Sequence, residues 1–260
     1  MTTYETVSVD YHNQVAVVSL NRPDALNAFN AALRHDLHQA VDQVNSDERI
    51  RVVVLSGMGR AFSAGADLTE VKADDFDVRT QLNEEYKPVL MAITEAPKPW
   101  ISAVNGAAAG IGSAFAMVCD LTLMAEDAYL YQAFTAIGLV PDGGASWHLA
   151  RSIGRKRAYG LIVSGEKLTA DKCLELGLCN HVVAADELQS SALAWAMELA
   201  DKAPLSLRYA KQAVNAAMEA GVADVIAIEA DFQHLCTNSV DATEGVAAFI
   251  EKRRPQWQGK

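Results

Sequence analysis

A chain of 260 residues that is half hydrophobic can bury a substantial core, as one large domain or as one domain with an appendage. Its formal net charge of −11 argues against a general affinity for nucleic acid or an anionic membrane, the basic runs being local, at Arg151 to Arg157 and in the tail. The N-terminal residues show no signal region, Cys119, Cys173, Cys179 and Cys236 form no CxxC pair, and the six histidines form no HExxH pattern. The expectation is buried free thiols in a reducing cytoplasm, and no metal site.

In chain order, Thr6 to Tyr11 and Val15 to Leu20 alternate like two paired strands, and Asn21-Arg22-Pro23-Asp24 is a turn. Asn30 is placed to cap a helix whose apolar stripe is Leu33, Leu37, Val41 and Val44. Arg51 to Ser56 reads as a buried strand, followed by a loop of small residues, Ala61-Phe62-Ser63-Ala64-Gly65-Ala66-Asp67-Leu68. Residues 69 to 87 are acidic and aperiodic, a mobile, solvated segment grading into a helix toward Ile93.

The stretch from Lys98 to Asp120 organises the chain. It opens as an apolar strand, Trp100 to Val104, turns through Asn105-Gly106 and nearly side-chain-free residues, and becomes a helix near Ile111. Such a turn lets a ligand approach the backbone and leaves the first helical N–H groups unpaired, the layout of an anion or oxyanion site. Its three glycines and its turn exclude a membrane span, and Phe115 stands where a dinucleotide fingerprint needs its third glycine. A close helix–sheet contact without a ligand remains the plain alternative.

Leu121 to Ala125 and Ala128 to Phe134 read as strands, residues 135–144 as a loop, then helices from Ala145, Arg155 and Ala170, the last capped by Thr169. His181 to Val183 is a last strand, and beyond about residue 190 the chain is helical. Asp241 with Glu244 has the form of a capping box for the final helix.

Ala64-Gly65-Ala66 and Gly110-Ile111-Gly112 share one character, and each can aim a backbone N–H at a common oxygen. In order along the chain stand Asn21-Arg22-Pro23 with Leu26-Asn27-Ala28, Ala61 to Leu68, and Ala103-Val104-Asn105-Gly106 through Asp120. Gly138-Leu139-Val140-Pro141-Asp142-Gly143-Gly144 and Phe249 to Pro255 follow. With these motifs the chain resembles the crotonase (enoyl-CoA hydratase/isomerase) superfamily over essentially its whole length.

The resemblance implies an α/β fold, a spiral of ββα units over residues 1–190 that binds a coenzyme A thioester. A helical trimerisation region, 191–260, would follow, in a homotrimer or homohexamer. It implies no separate cofactor, coenzyme A being part of the acyl-CoA substrate. Mapped onto this chain, the oxyanion donors would be the N–H groups of Ala66 and Ile111, with Gly110 in the same turn. The CoA would run past Ala25, Leu26, Ala64, Asp67 and Leu68, and Phe249 and Lys252 would approach its adenine and phosphates.

The departures narrow the chemistry. The two glutamates that serve hydratases of the family fall on Ala114 and Phe134, leaving no carboxylate there to activate water. What remains is Asp142. An Asp between Pro141 and Gly143-Gly144 ahead of a helix has the form of an N-cap. The family's double-bond isomerases, including the ring-1,2-epoxyphenylacetyl-CoA isomerases, place one acid after this proline. Such a group needs a raised pKa, which an apolar pocket of Phe134, Ile111, Ala114 and Leu139 would supply. His148 follows on the helix and would either assist or simply pack. Three other readings stay open: an enoyl-CoA hydratase using other groups, Asp142 as nucleophile on an aromatic CoA thioester, as in the family's dehalogenases, and a non-catalytic CoA-binding scaffold.

Overall fold

Val15–Leu20 and Val52–Gly57 are rich in β-branched residues and apolar on both faces, so they suit strands covered on both sides. In the computed structural model, which describes residues 4–70 and 77–260, they lie side by side as β2 and β3, parallel from Val15↔Val52 to Leu20↔Gly57. β1 (Val7–His12) pairs antiparallel with β2 through a tight turn at Asn13. The sheet grows through β5 (Trp100–Val104), β7 (Leu121–Ala125) and β10 (His181–Val183), in the order β1-β2-β3-β5-β7-β10.

A second sheet takes the intervening strands. β4 (Ala61–Ser63), β6 (Ala107–Ala109), β8 (Tyr129–Tyr131) and β9 (Lys167–Thr169) run in the order β4-β6-β8-β9, the first three mutually parallel. Each turn of chain thus adds one strand to each sheet: β3 then β4, β5 then β6, β7 then β8. That is the ββα spiral the sequence led us to expect.

Helices seal the layers. α1 (Ala31–Ser46) buries Leu33, Leu37, Val41 and Val44, and the Asn30 side chain accepts the Leu33 N–H at 3.0 Å, as expected of the cap. A short α2 (Val78–Thr80), a π-helical run (Gln81–Tyr86) and α3 (Lys87–Thr94) follow head to tail. α4 (Ile111–Val118) is buried almost throughout. α5 (Ala145–Ile153), α6 (Arg155–Ser164) and α7 (Ala170–Glu175) lead to α8 (Leu188–Ala200). α8 lays Leu188, Ala192, Ala196 and Ala200, one residue per turn, across β2, β3, β5 and β7.

From α8 onward only helices occur: α9 (Pro204–Ala217), α10 (Val222–Thr237) and α11 (Val240–Glu251). α9 and α10 bury no residue within the chain, and Val214, Val222, Ile226, Val246, Phe249 and Ile250 stand exposed. Several latches hold this region to the spiral, the Arg151–Glu219 ion pair and the bond from Asn215 to the Thr94 carbonyl among them. Lys211 Nζ donates to Asp120 Oδ2 at 2.9 Å and to the Ile93 carbonyl at 2.8 Å. The Arg51 guanidinium donates to the carbonyls of Ala200 and Trp257.

Several expectations are corrected. Two loops hold three-residue strands, β4 and β6, which carry too few side chains to show a period. The strand expected from Ala128 to Phe134 is only Tyr129–Tyr131, because Phe134 opens a 3-10 turn, Thr135–Ile137. Ser239 caps α11, accepting from the Ala242 N–H, while buried Asp241 receives the N–H groups of Gln258 and Gly259 and Glu244 pairs with Arg253. Thr169 stands at the N-cap of α7 without a side-chain hydrogen bond. In the acidic segment, helix begins at Val78 and Tyr86 is buried; residues 71–76 lie outside the described residues.

Candidate active site

The three parallel strands β4, β6 and β8 end side by side, so the residues after each are brought together: Ala64-Gly65-Ala66, Gly110-Ile111, and Gln132 to Phe134. Ligands of α/β sheets gather at such carboxyl ends. Gly65 adopts φ +99, and a Cβ there would stand 2.9 Å from the Ala109 carbonyl oxygen and 3.7 Å from Gly110 Cα. The two small-residue loops are therefore in contact, which the sequence could not show. Among the described residues, neither the Ala66 nor the Ile111 N–H has an acceptor, Ile111 being the first residue of its helix.

The loop before α1 is stitched to this edge. Leu26 and Asn27 both take left-handed backbone, and the Leu26 carbonyl accepts the Ala64 N–H at 2.9 Å. Buried Asn27 accepts from the Arg22 N–H and donates to the carbonyls of Met58 and Ala61. Ser63 Oγ donates to the Asn27 carbonyl and accepts the Gly65 N–H. Phe29 and Ala66 form a parallel bridge. Arg22 reaches Asp67 Oδ2 at 3.1 Å and also bonds the Ala28 carbonyl. The Thr69 hydroxyl, ahead of Arg22, holds the Asp67 carboxyl below its ordinary range. Ala25, Leu26, Ala64, Ala66 and Asp67 thus form one hydrogen-bonded edge, with Leu68 exposed beside it.

The opposite wall is apolar. Ile111 and Ala114 are buried on α4, and the buried Phe134 ring comes within 3.8 Å of a Cβ placed on Gly110. Gly143 is pressed against Ile111 Cδ1, and a Cβ there would meet Ala114 Cβ at 2.8 Å and Leu90 Cδ1 at 3.5 Å. Only glycine fits, and that contact holds Asp142 against the first turn of α4. Asp142 does not cap α5: Gly144 is its N-cap, with no side-chain bond, and Asp142 Oδ1 is buried without a hydrogen-bond partner. Burial pushes the Asp142 carboxyl up to about 6, a hydrogen bond from its own backbone offsetting only part of the shift.

The remaining expected residues lie elsewhere. Leu139 is 53% exposed and is no part of the pocket wall, because left-handed Gly138 turns the chain outward there. Phe249 is 85% exposed and Lys252 closes α11, and the hydrogen bonds made by their backbones stay within that helix end. His148 is held down to about 4 by burial and, secondarily, by Arg151, so it is neutral near pH 7. Sequence reasoning missed Tyr86. This residue is 2% exposed, with its ring edge-on to Phe29 at 5.8 Å and tilted over Phe115 at 6.3 Å. The spacing of Tyr86, Leu90 and Ile93 was the available signal.

The family model for enoyl-CoA hydratase/isomerase matches residues 10–260. The chain belongs to the enoyl-CoA hydratase/isomerase family. A 1,2-epoxyphenylacetyl-CoA isomerase of Escherichia coli is 38% identical over 250 residues, 95% of each chain. A protein named "Probable enoyl-CoA hydratase" from Rhodobacter capsulatus is also 38% identical, over 99% of each. The crystal structure of an enoyl-CoA hydratase from Polaromonas superposes with a TM-score of 0.93 at 33% identity, covering 97% of this chain and 99% of that one. The α/β spiral with its C-terminal helices is thus the crotonase fold, and enoyl-CoA hydratase/isomerase members carry both names at equal identity. Among the described residues, no helix is long and apolar enough to cross a membrane, and no three His, Cys, Asp or Glu side chains are grouped to hold a metal ion.

Proposed function

We propose that this family member is an acyl-CoA isomerase that moves a double bond, or opens a strained ring, beside a thioester. The observation that carries the reading is one buried acid, Asp142, among the described residues of the pocket. Asp142 presents a buried, unpartnered carboxylate oxygen to an apolar wall, while Ala114 and Phe134, which the family resemblance puts at the hydratase glutamate positions, carry no carboxyl. In this reading the Ala66 and Ile111 N–H groups hold the thioester oxygen. Asp142 removes a proton from C2, the electron pair passes into the enolate, and the same carboxyl returns the proton at C4. A 3-enoyl thioester becomes a 2-enoyl thioester with no atom gained or lost. A carboxyl near pH 6 is suited to serve as base and then acid. Coenzyme A would lie along Ala25, Leu26, Ala64, Asp67 and Leu68.

One preparation assayed with two substrates tests the reading. A 3-enoyl-CoA should be isomerised, while crotonyl-CoA hydration should be slow or absent. Hydration at a typical enzyme's rate, about 10 s⁻¹ or more, would require another base and overturn the assignment.

We further propose a trimer-based assembly, on the exposed apolar residues of α9, α10 and α11. In it Phe249 and Lys252 would complete a neighbour's CoA site. Light scattering that gave a 28.0 kDa particle at micromolar concentration would refute this. Three buried cysteines and a half-buried fourth, all unpaired, favour a reducing compartment such as the cytoplasm.

A further inference from the structure

Among the described residues, Tyr86 Oη and Asp142 Oδ1 are both buried side-chain oxygens without a hydrogen-bond partner. Native interiors rarely leave such groups unmatched, and one of these is a donor, the other an acceptor. Both are set against one group of side chains. The Asp142–Gly143 turn packs on Leu90 and Ala114. Leu90 lies four residues beyond Tyr86 on the same helical face, and Ala114 precedes Phe115, on which the Tyr86 ring rests. After burial and Arg34, the Asp142 charge is the next influence on the phenol. Tyr86 also ends the π-helical run Gln81–Tyr86, an irregularity frequent at functional sites.

The other groups around the phenol are already committed. Arg34, from α1, lies 5.5 Å from the Tyr86 ring centroid and is bound to Glu70, Glu85 and the Phe29 carbonyl. It also acts on the phenol oxygen as a donor, and since a guanidinium cannot accept, the phenol's own O–H is left to give. Glu70, after β4, and Glu85, beside Tyr86, are thereby paired. α4 offers Ile111, Ala114 and Phe115, and α3 offers Leu90; His148 on α5, beside Gly144, is neutral near pH 7. Burial raises the phenol above its usual range, so it stays a neutral donor wherever Asp142 titrates.

We propose that Tyr86 is the positioning residue of Asp142, its hydroxyl donating toward Oδ1 directly or across one water and holding the carboxylate toward the acyl chain. The proposal rests on the isomerase reading. Its physical consequence is separate: a donor to the charged form lowers a carboxyl's pKa, so removing it raises that pKa.

The test is Tyr86→Phe, which keeps the ring among Phe29, Phe115 and Arg34. The acid limb of the kcat profile for 3-enoyl-CoA isomerisation should move up by about one pH unit, with KM little changed. The carbon-13 resonance of the Asp142 carboxyl should titrate higher by the same amount, a readout independent of turnover. Replacing Tyr86 by 3-fluorotyrosine, a stronger donor, should move both the other way, and serves if the Phe variant folds poorly. Superimposable profiles and titrations, or a loss of rate equal at all pH values, would overturn the proposal. An Asp142→Asn protein assayed alongside separates the two levels. If it keeps the parent rate, the isomerase reading fails; if it is inactive while Tyr86→Phe leaves limb and resonance in place, only the role of Tyr86 fails.

Discussion

The two walls of the site satisfy their polar groups in opposite ways. On the edge formed by residues 22–67, Asn27, Ser63, Arg22 and Asp67 are all bonded within the chain, and the backbone of Leu26 and Ala64 is bonded with them. On the wall formed by the π-helical run, α3, α4 and residues 134–143, Tyr86 Oη and Asp142 Oδ1 lack geometric hydrogen-bond partners among Leu90, Ile111, Ala114 and Phe115. A region whose polar side chains are all bonded is a rigid frame for whatever lies on it. A region with buried polar atoms in reserve has given up stability that a ligand can return. The first should therefore answer mutation in stability, and the second in rate.

The sharpest contrast comes from Asp142→Asn. The change keeps size and removes the base, so isomerisation should fall by roughly 10²–10⁴ while CoA binding and the folded structure persist. A parent-like rate, measured with a 3-enoyl-CoA, would erase the distinction between the walls. Next in size is Asn27→Ala on the framed edge, which strands the Arg22 N–H and the carbonyls of Met58 and Ala61. A loss of about 2–4 kcal/mol in denaturant unfolding is expected, with residual activity per folded molecule falling far less.

Asp142 should also leave a signature in stability. Its folded pKa of about 6 lies above the ordinary 3.8, so its contribution is fully present below pH 3.8 and is lost as pH rises through 6. Above pH 7, Asp142→Asn should thus be more stable than the parent, by on the order of 2 kcal/mol, and the difference should vanish in acid. Melting curves of both proteins from pH 4 to 8 would show it, and a pH-independent difference would contradict it. The smallest effect is expected at the partly exposed Arg22–Asp67 pair, where Asp67→Asn should cost less than about 1 kcal/mol of stability.

Much of this was legible in the residues. The stripe of α1, its Asn30 cap, the buried β3 and β5, and the small-residue turns at Gly65 and Gly110 all follow from spacing and composition. The meeting of those turns did not, because it depends on β4, β6 and β8, strands of three residues whose pairing is set by the sheet and not by pattern. Tyr86 was hidden for a different reason. It follows an acidic run, and the π-helical turn that ends on it breaks the period with the residues before it, leaving only Leu90 and Ile93 beyond it as a signal. Leu139 misled because apolar character beside an acid suggests a wall, whereas a left-handed glycine ahead of it sends the loop into solvent.

The order in which strands join the large sheet has a consequence for biosynthesis. β2, β3, β5, β7 and β10 are added in the sequence in which a ribosome releases them, so each new turn of the spiral finds its neighbour already made. The helix that covers β2, β3, β5 and β7 together is α8, which begins only at Leu188. Until it emerges, one apolar face shared by four strands has no partner, and a nascent chain stalled before that point is a substrate for chaperones rather than a shorter working protein.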